Sequence, residues 1–194
     1  MFIFFLNNIV MYMSEIAFDN RMETWEECLR GLPQRLKEVD GRPPLRHGKP
    51  YLSVWEISEQ FYCEMKVEME NKYGEVKTEA KNEGKDIHGE LLKMEEAEIE
   101  DIIEGIRSVQ FYQTSLPLLA EVEGVPVIGR PDCVVFDRGY PAFIYELKTF
   151  NAKTFRLHDD RKVQAMIYAL LLEEMGFDCS RISLHVVGMR REIE

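Results

Sequence analysis

Residues 130–150 read RPDCVVFDRGYPAFIYELKTF, a hairpin-like stretch in which Asp132, Glu146 and Lys148 interrupt apolar strands. Charged side chains are seldom placed in an apolar strand without a partner or a metal. Side chains alternate along a strand, so Ile144, Glu146 and Lys148 share one face while Phe143, Tyr145 and Leu147 share the other. Arg138-Gly139-Tyr140-Pro141 is a turn sequence, and 13 residues separate Asp132 from Glu146. An in-register antiparallel hairpin therefore sets Asp132 across from Glu146. Two converging carboxylates repel unless a divalent cation lies between them, and oxygen ligands suit Mg²⁺ or Mn²⁺. A lysine beside such a site can orient or deprotonate an attacking water, or hold a phosphate oxygen. A plain ion pair, Glu146–Lys148 or Asp132–Lys148, meets the same spacing. The hairpin alone leaves both readings open.

The elements that must position these residues follow from pattern. Residues 19–40 predict a short helix and then a turn around Gly31-Leu32-Pro33, and GRPPLRHGKP at 41–50 is a Pro/Gly-rich loop. Ser53 with Glu56 three residues on is a capping box that starts a helix running to about Tyr73-Gly74, with Ile57, Phe61 and Met65 as its buried face. A second helical region covers roughly 81–106, with Ile87, Leu91, Met94 and Ile102 as an apolar stripe. From Ser108 the period shortens to that of strands, with turns at Glu123-Gly124 and Gly129 before the hairpin. Residues 159–175 read as a helix capped by Asp159 or Asp160 and stopped at Gly176, and 182–187 as a last strand. Helices, a β-meander, a helix and a strand describe an α/β sandwich with a mixed sheet, the last strand lying parallel after a crossover.

With 194 residues, 45% of them apolar, the chain has the makings of one domain with a substantial core. Its net charge of −11 argues against a nucleic-acid partner, but the charge is uneven. Residues 64–104 hold 14 acids against 6 lysines, whereas 138–162 hold 6 basic residues against 3 acids. The acidic run reads most simply as a solvated face. The local field around the hairpin is basic, and local field steers a phosphate backbone. Lys153, Arg156, Arg161 and Lys162, with His158, could line a phosphate track or form a solvated loop balanced by Asp159 and Asp160. Tyr112, Phe150 and Phe155 could stack on bases or belong to the core, and Phe150 reads as core. Cys28, Cys63, Cys133 and Cys179 are scattered without a CxxC pair, which excludes the usual zinc spacing and fits a reducing cytosol. The opening MFIFFLNNIVMYM is too short to span a bilayer and lacks the basic start of a signal peptide. An apolar arm packing on the domain, or on a second copy to give a homo-oligomer, is expected; no membrane partner is.

Taken singly, His88 reads as a surface or capped histidine, and Gln164 and Tyr168, at i and i+4, as packing residues on one helix face. Taken in order they carry a resemblance. Pro131-Asp132 followed by Glu146-Leu147-Lys148 resembles the PD-(D/E)XK nuclease signature. Gln164 and Tyr168 in QAMIY match the QxxxY motif of the RecB-like branch, and His88 in GKDIHG matches the histidine which that branch carries upstream. YLSVWEISEQFYCEMK at 51–66 is similar to the first helix of the CRISPR-associated members, with Cys63 at a cysteine that joins an iron–sulfur cluster there.

The resemblance implies a restriction-endonuclease-like core: a mixed central β-sheet flanked by helices, over residues 51–194. Residues 1–50 would then be an apolar arm, a short helix and a loop. It implies that His88, Asp132, Glu146 and the backbone carbonyl of Leu147 ligate Mg²⁺ or Mn²⁺. Lys148 would position the water, and Gln164 and Tyr168 would contact the DNA backbone or steady Lys148. The implied activity is hydrolysis of DNA phosphodiesters, exonuclease-like on single strands or ends, in the cytoplasm. The chain departs from the cluster-bearing members, which use three further cysteines near the C-terminus. Here Cys179 alone follows the hairpin, and Glu64 stands where a proline follows the first cysteine. No iron–sulfur cluster is expected, and Cys63 then reads as a buried, inert thiol. The strong negative charge keeps an alternative open, a catalytically idle nuclease-fold module that binds DNA or a protein. A purely structural α/β domain with surface ion pairs is the third reading.

Overall fold

The computed structural model describes residues 2–5, 24–74, 97–150 and 157–190. Helix α1 (Trp25–Asp40) opens on a capping box in which the Thr24 hydroxyl accepts from the Glu27 N–H and the Glu27 carboxylate accepts from the Thr24 N–H. The sequence predicts a turn at Gly31-Leu32-Pro33, but α1 runs through it. Pro33 lies on the exposed side and removes one N–H, while Leu29 and Leu32 are buried on the other side. The Arg35 guanidinium donates to the Cys28 carbonyl at 2.6 Å, which helps this weakened turn. Core burial on both sides of the proline thus outweighs a local break.

Helix α2 (Val54–Tyr73) starts at the Ser53–Glu56 capping box as expected. Glu56 is buried because it accepts from the Ser53 N–H and hydroxyl and from Lys49 at 2.8 Å. The expected buried face does not hold. Ile57 is partly buried, yet Phe61 and Met65 are exposed, and Val54, Ser58 and Val67 point inward instead. Phe61 precedes Cys63 and is exposed without its help; Cys63, whose extended backbone (φ −162°, ψ 103°) interrupts the helix, resets the phase of the residues after it, Met65 among them. The same residue turns the Cys63 thiol outward, so the expectation of a buried thiol is also corrected. Helix α3 (Ile99–Ser108) is the described end of the region read as helical from 81, and it buries Ile102, Ile103 and Ile106. Ile87, Leu91 and Met94 lie outside the described residues. Helix α4 (Asp159–Glu174) begins at Asp159 as read, but His158 takes the cap position expected for Asp159 or Asp160, and the chain leaves it through Gly176 at φ +86°.

Among the described residues, eight strands form two mixed sheets. β1 (Phe2–Phe5), β8 (Ser183–Arg190), β7 (Tyr140–Phe150), β6 (Cys133–Asp137) and β3 (Phe111–Thr114) stand in that order in the larger one. β2 (Leu52–Ser53), β5 (Val125–Gly129) and β4 (Leu118–Val122) make the smaller. β7 and β8 are parallel, as predicted, and α4 connects them; β1 adds antiparallel to β8, so the start of the apolar arm lies on this domain's own sheet. The segment from β3 to β6 is one antiparallel hairpin broken into both sheets. Its two joints, Ser115-Leu116-Pro117 and Arg130-Pro131-Asp132, each carry a proline, which cannot donate to a ladder. The joints are tied: the Ser115 hydroxyl donates to the Pro131 carbonyl at 2.8 Å, and the Arg130 guanidinium donates to the Ser115 carbonyl at 3.1 Å. Both hairpin turns, Glu123-Gly124 and Arg138-Gly139, have positive φ at each residue, the pattern of a two-residue I′ turn.

The main core joins Val134, Phe136 and Ile144 on one face of the larger sheet to Ile102, Ile106, Leu171, Leu172 and Met175 from α3, α4 and its end. Trp25 of α1 stacks on Phe177, which meets Phe136 at 5.4 Å. Tyr112 packs against this core, its ring so close to Gly105 that a Cβ there would lie 2.3 Å from it. That places Tyr112 with the core rather than with a base-stacking surface. The architecture is mixed α/β, two mixed sheets flanked by helices. Among the described residues no helix is long and apolar enough to cross a membrane.

Candidate metal centre

The hairpin register sets the site. Cys133 pairs with Tyr145 and Val134 with Ile144, and Asp132 is the next residue outward, level with Glu146. Asp132 Oδ2 accepts the Leu147 N–H at 2.7 Å, so the carboxylate is fixed by the backbone of β7. Glu146 is on the face of β7 that turns to α4 and is 3% exposed. Its Oε1 accepts twice, from Lys148 Nζ and from Gln164 Nε2, both at 2.8 Å. Its Oε2 is buried and has no hydrogen-bond partner among the described residues. Burial pushes the Glu146 carboxyl up, to about 7; Lys148 opposes this and the Asp132 charge adds to it.

Helix α4 supplies the second layer. Gln164 also donates to the Tyr168 hydroxyl at 3.3 Å, and that hydroxyl donates to the Arg130 carbonyl at 3.1 Å. A chain of bonds thus runs from Glu146 through Gln164 and Tyr168 to the joint that carries Asp132. Burial, with the Glu146 charge, holds the Tyr168 phenol well above its ordinary value, so it stays a donor. Gly129 makes this approach possible: a Cβ there would lie 2.4 Å from Val54 Cγ2 and 2.8 Å from Tyr168 Cε1. Both Gln164 and Tyr168 are buried, and Gln164 donates to Glu146, where contact with the DNA backbone or steadying of Lys148 was expected.

Asp132, Glu146, Lys148, Gln164 and Tyr168 are therefore brought together. His88, Lys153 and Arg156 lie outside the described residues. Arg161 and Lys162 sit on the first turn of α4, and Lys162 is paired with Asp159 at 2.7 Å, which holds the Asp159 carboxyl below its usual range. On the far face of β7, Phe143 and Tyr145 meet a residue that the sequence reading passed over. His185 of β8 stacks on Tyr145 at 5.1 Å and meets Phe143 edge-on at 5.3 Å. Its signal was present in ISLHVV, where period two sends His185 to the same side as Tyr145 once the strands are parallel.

Two features test whether a cation fits. The Glu146–Lys148 ion pair exists, as the plain reading required. An ion pair alone does not account for a buried carboxylate oxygen left over beside a second carboxylate. The donor set at Asp132 and Glu146 is all oxygen, which suits Mg²⁺ or Mn²⁺. Among the described residues no group of three His, Cys, Asp or Glu converges, so the pair needs a further ligand from elsewhere.

No protein-family model and no curated protein matches the chain. Solved structures do match, among them one described as the crystal structure of SSO0001. It is 17% identical over 85% of this chain and 71% of that one, with a TM-score of 0.43. A likeness that distant carries no argument about either fold family or chemistry.

Proposed function

We propose that the chain is a divalent-metal-dependent DNA nuclease of the PD-(D/E)XK type, RecB-like branch, with a restriction-endonuclease-like core. The carrying observation is the buried, unpartnered Oε2 of Glu146 beside Asp132, with Lys148 and Gln164 on the other oxygen. Asp132 and Glu146 would hold Mg²⁺ or Mn²⁺, with His88 and the Leu147 carbonyl completing the protein ligands as the resemblance implies. When bound, such an ion polarises the phosphodiester and lowers the pKa of a water. Gln164 holds Glu146 Oε1 and so leaves Oε2 for the ion, and Tyr168 fixes Gln164. Lys148 is the cation within reach of the attacking water and of charge building on the phosphate oxygens. Water attacks phosphorus in line, the bond to the 3′ oxygen breaks, and the products carry a 5′-phosphate and a 3′-hydroxyl. Single-stranded DNA or DNA ends are the substrates the resemblance points to. An iron–sulfur cluster is no part of this reading.

The test incubates the purified chain with labelled single- and double-stranded DNA in Mg²⁺, Mn²⁺ or EDTA. Cleavage is expected with metal, none with EDTA, and a loss of about 1,000-fold or more in Glu146→Ala. A second reading, an idle nuclease fold that binds DNA or a protein, draws on the net charge of −11. Metal-independent DNA binding without cleavage would select it.

A further inference from the structure

Residues 130–132 carry the chain from β5 to β6 outside either ladder, since the paired positions stop at Gly129 and resume at Cys133. Asp132 therefore lacks the strand pairing that fixes the main chain of Glu146. Its carboxylate is tied at the tip, where Oδ2 accepts the Leu147 N–H at 2.7 Å. One bond at the tip still lets the carboxylate swing about it. The root is fixed by the two peptide planes that precede it. The Arg130 carbonyl accepts the Tyr168 hydroxyl at 3.1 Å. The Pro131 carbonyl, coplanar with the Asp132 nitrogen, accepts the Ser115 hydroxyl at 2.8 Å. Pro131 has no N–H, so that carbonyl is the only main-chain handle on the residue before Asp132. Ser115 is itself held: its carbonyl accepts Arg130 Nη2 at 3.1 Å and Nε at 3.3 Å. The two joints thus close a ring, and Leu116, 0% exposed, anchors the Ser115 side of it in the core.

We propose that Ser115 is a positioning residue for the cation site. By setting the Pro131–Asp132 peptide plane it sets the direction from which Asp132 meets the ion. The inference rests on the reading of Asp132 and Glu146 as a metal centre. Tyr168 and Ser115 then do matching work on consecutive planes, one from α4 and one from the opposite joint. Ser115 acts through the main chain, as groups that orient a ligand without touching the metal do.

Calorimetric titration of Mn²⁺ into the full chain tests this. Ser115→Ala should weaken binding about 10- to 100-fold. Ser115→Thr, which keeps the hydroxyl, should bind as wild type does. Ser115→Val has the shape of threonine without the hydroxyl and should bind as weakly as the alanine variant. Metal-free melts and circular dichroism establish that each variant is folded at the titration temperature, and the Thr and Val pair decides the matter if alanine is not. Ser115→Ala with wild-type affinity overturns the inference alone. So does equal weakening in the Thr and Val variants, since affinity would then follow packing instead of the hydroxyl. A wild type that binds no Mn²⁺ overturns the metal centre and this inference with it.

Discussion

Glu146 is held between two demands, burial that favours its protonated form and a neighbouring Lys148 that favours the charged one. Burial wins, and the carboxyl titrates near 7 instead of its ordinary 4.5. The metal-free folded protein keeps a proton there that the unfolded chain releases. Stability from this group is full below 4.5 and is lost as pH rises through 7. The effect is on the order of 3 kcal/mol, since one pKa unit is about 1.4 kcal/mol. Thermal melts without metal should therefore show a steeper fall from about pH 5 to about pH 8 in wild type than in Glu146→Gln, by several degrees. Added Mn²⁺ should restore wild type at the higher pH and leave Glu146→Gln unmoved. An equal fall in both proteins would contradict the burial of an ionisable carboxyl. Gln164→Ala should weaken Mn²⁺ binding about 10- to 100-fold, because its amide orients a ligand it does not replace. Calorimetric titration reads that change, and unchanged affinity would return Gln164 to the rank of packing residue.

At the scale of elements, the site depends on how tightly β5, α2 and α4 converge. Gly129→Ala sets a methyl against Val54 and the Tyr168 ring, and should cost about 1–3 kcal/mol and displace Tyr168 from the Arg130 carbonyl. A melt lowered by roughly 2–12 °C checks the first part. A near-ultraviolet dichroism change in the tyrosine band checks the second. The hairpin was legible because alternation and turn chemistry act over a few residues: Glu146 and Lys148 had to share a face, and Arg138-Gly139 had to turn. Pro33 and Cys63 were not legible. Whether a proline breaks a helix depends on the burial of Leu29 and Leu32 before it and of Val39 after it. The extended residue at Cys63 has no local signal, and it resets the phase that would have put Met65 in the core. The break of one long hairpin into two sheets was also hidden, although Pro117 and Pro131 mark both joints.

For the whole molecule, the sequence identified the mixed α/β class and the parallel last strand, because a helix between two strands forces a crossover. Spacing alone left Gln164 and Tyr168 as packing residues, and only the QxxxY resemblance drew them to the site; their bonds to Glu146 and Arg130 depend on the contact of α4 with β7. The charge pattern has a consequence at this scale. DNA approaching a chain of net charge −11 must be steered by the basic 138–162 region. Cleavage should slow steeply with salt, and charge reversal at Lys153 and Arg156 should act on KM more than on kcat. The central claim is that Asp132 and Glu146 together hold a divalent cation. Its most direct test is an anomalous difference map from crystals of the protein grown with Mn²⁺. One strong peak is expected within bonding distance of Asp132 and Glu146 Oε2, absent in Glu146→Gln. No peak there, or a peak elsewhere that persists in that variant, would contradict it.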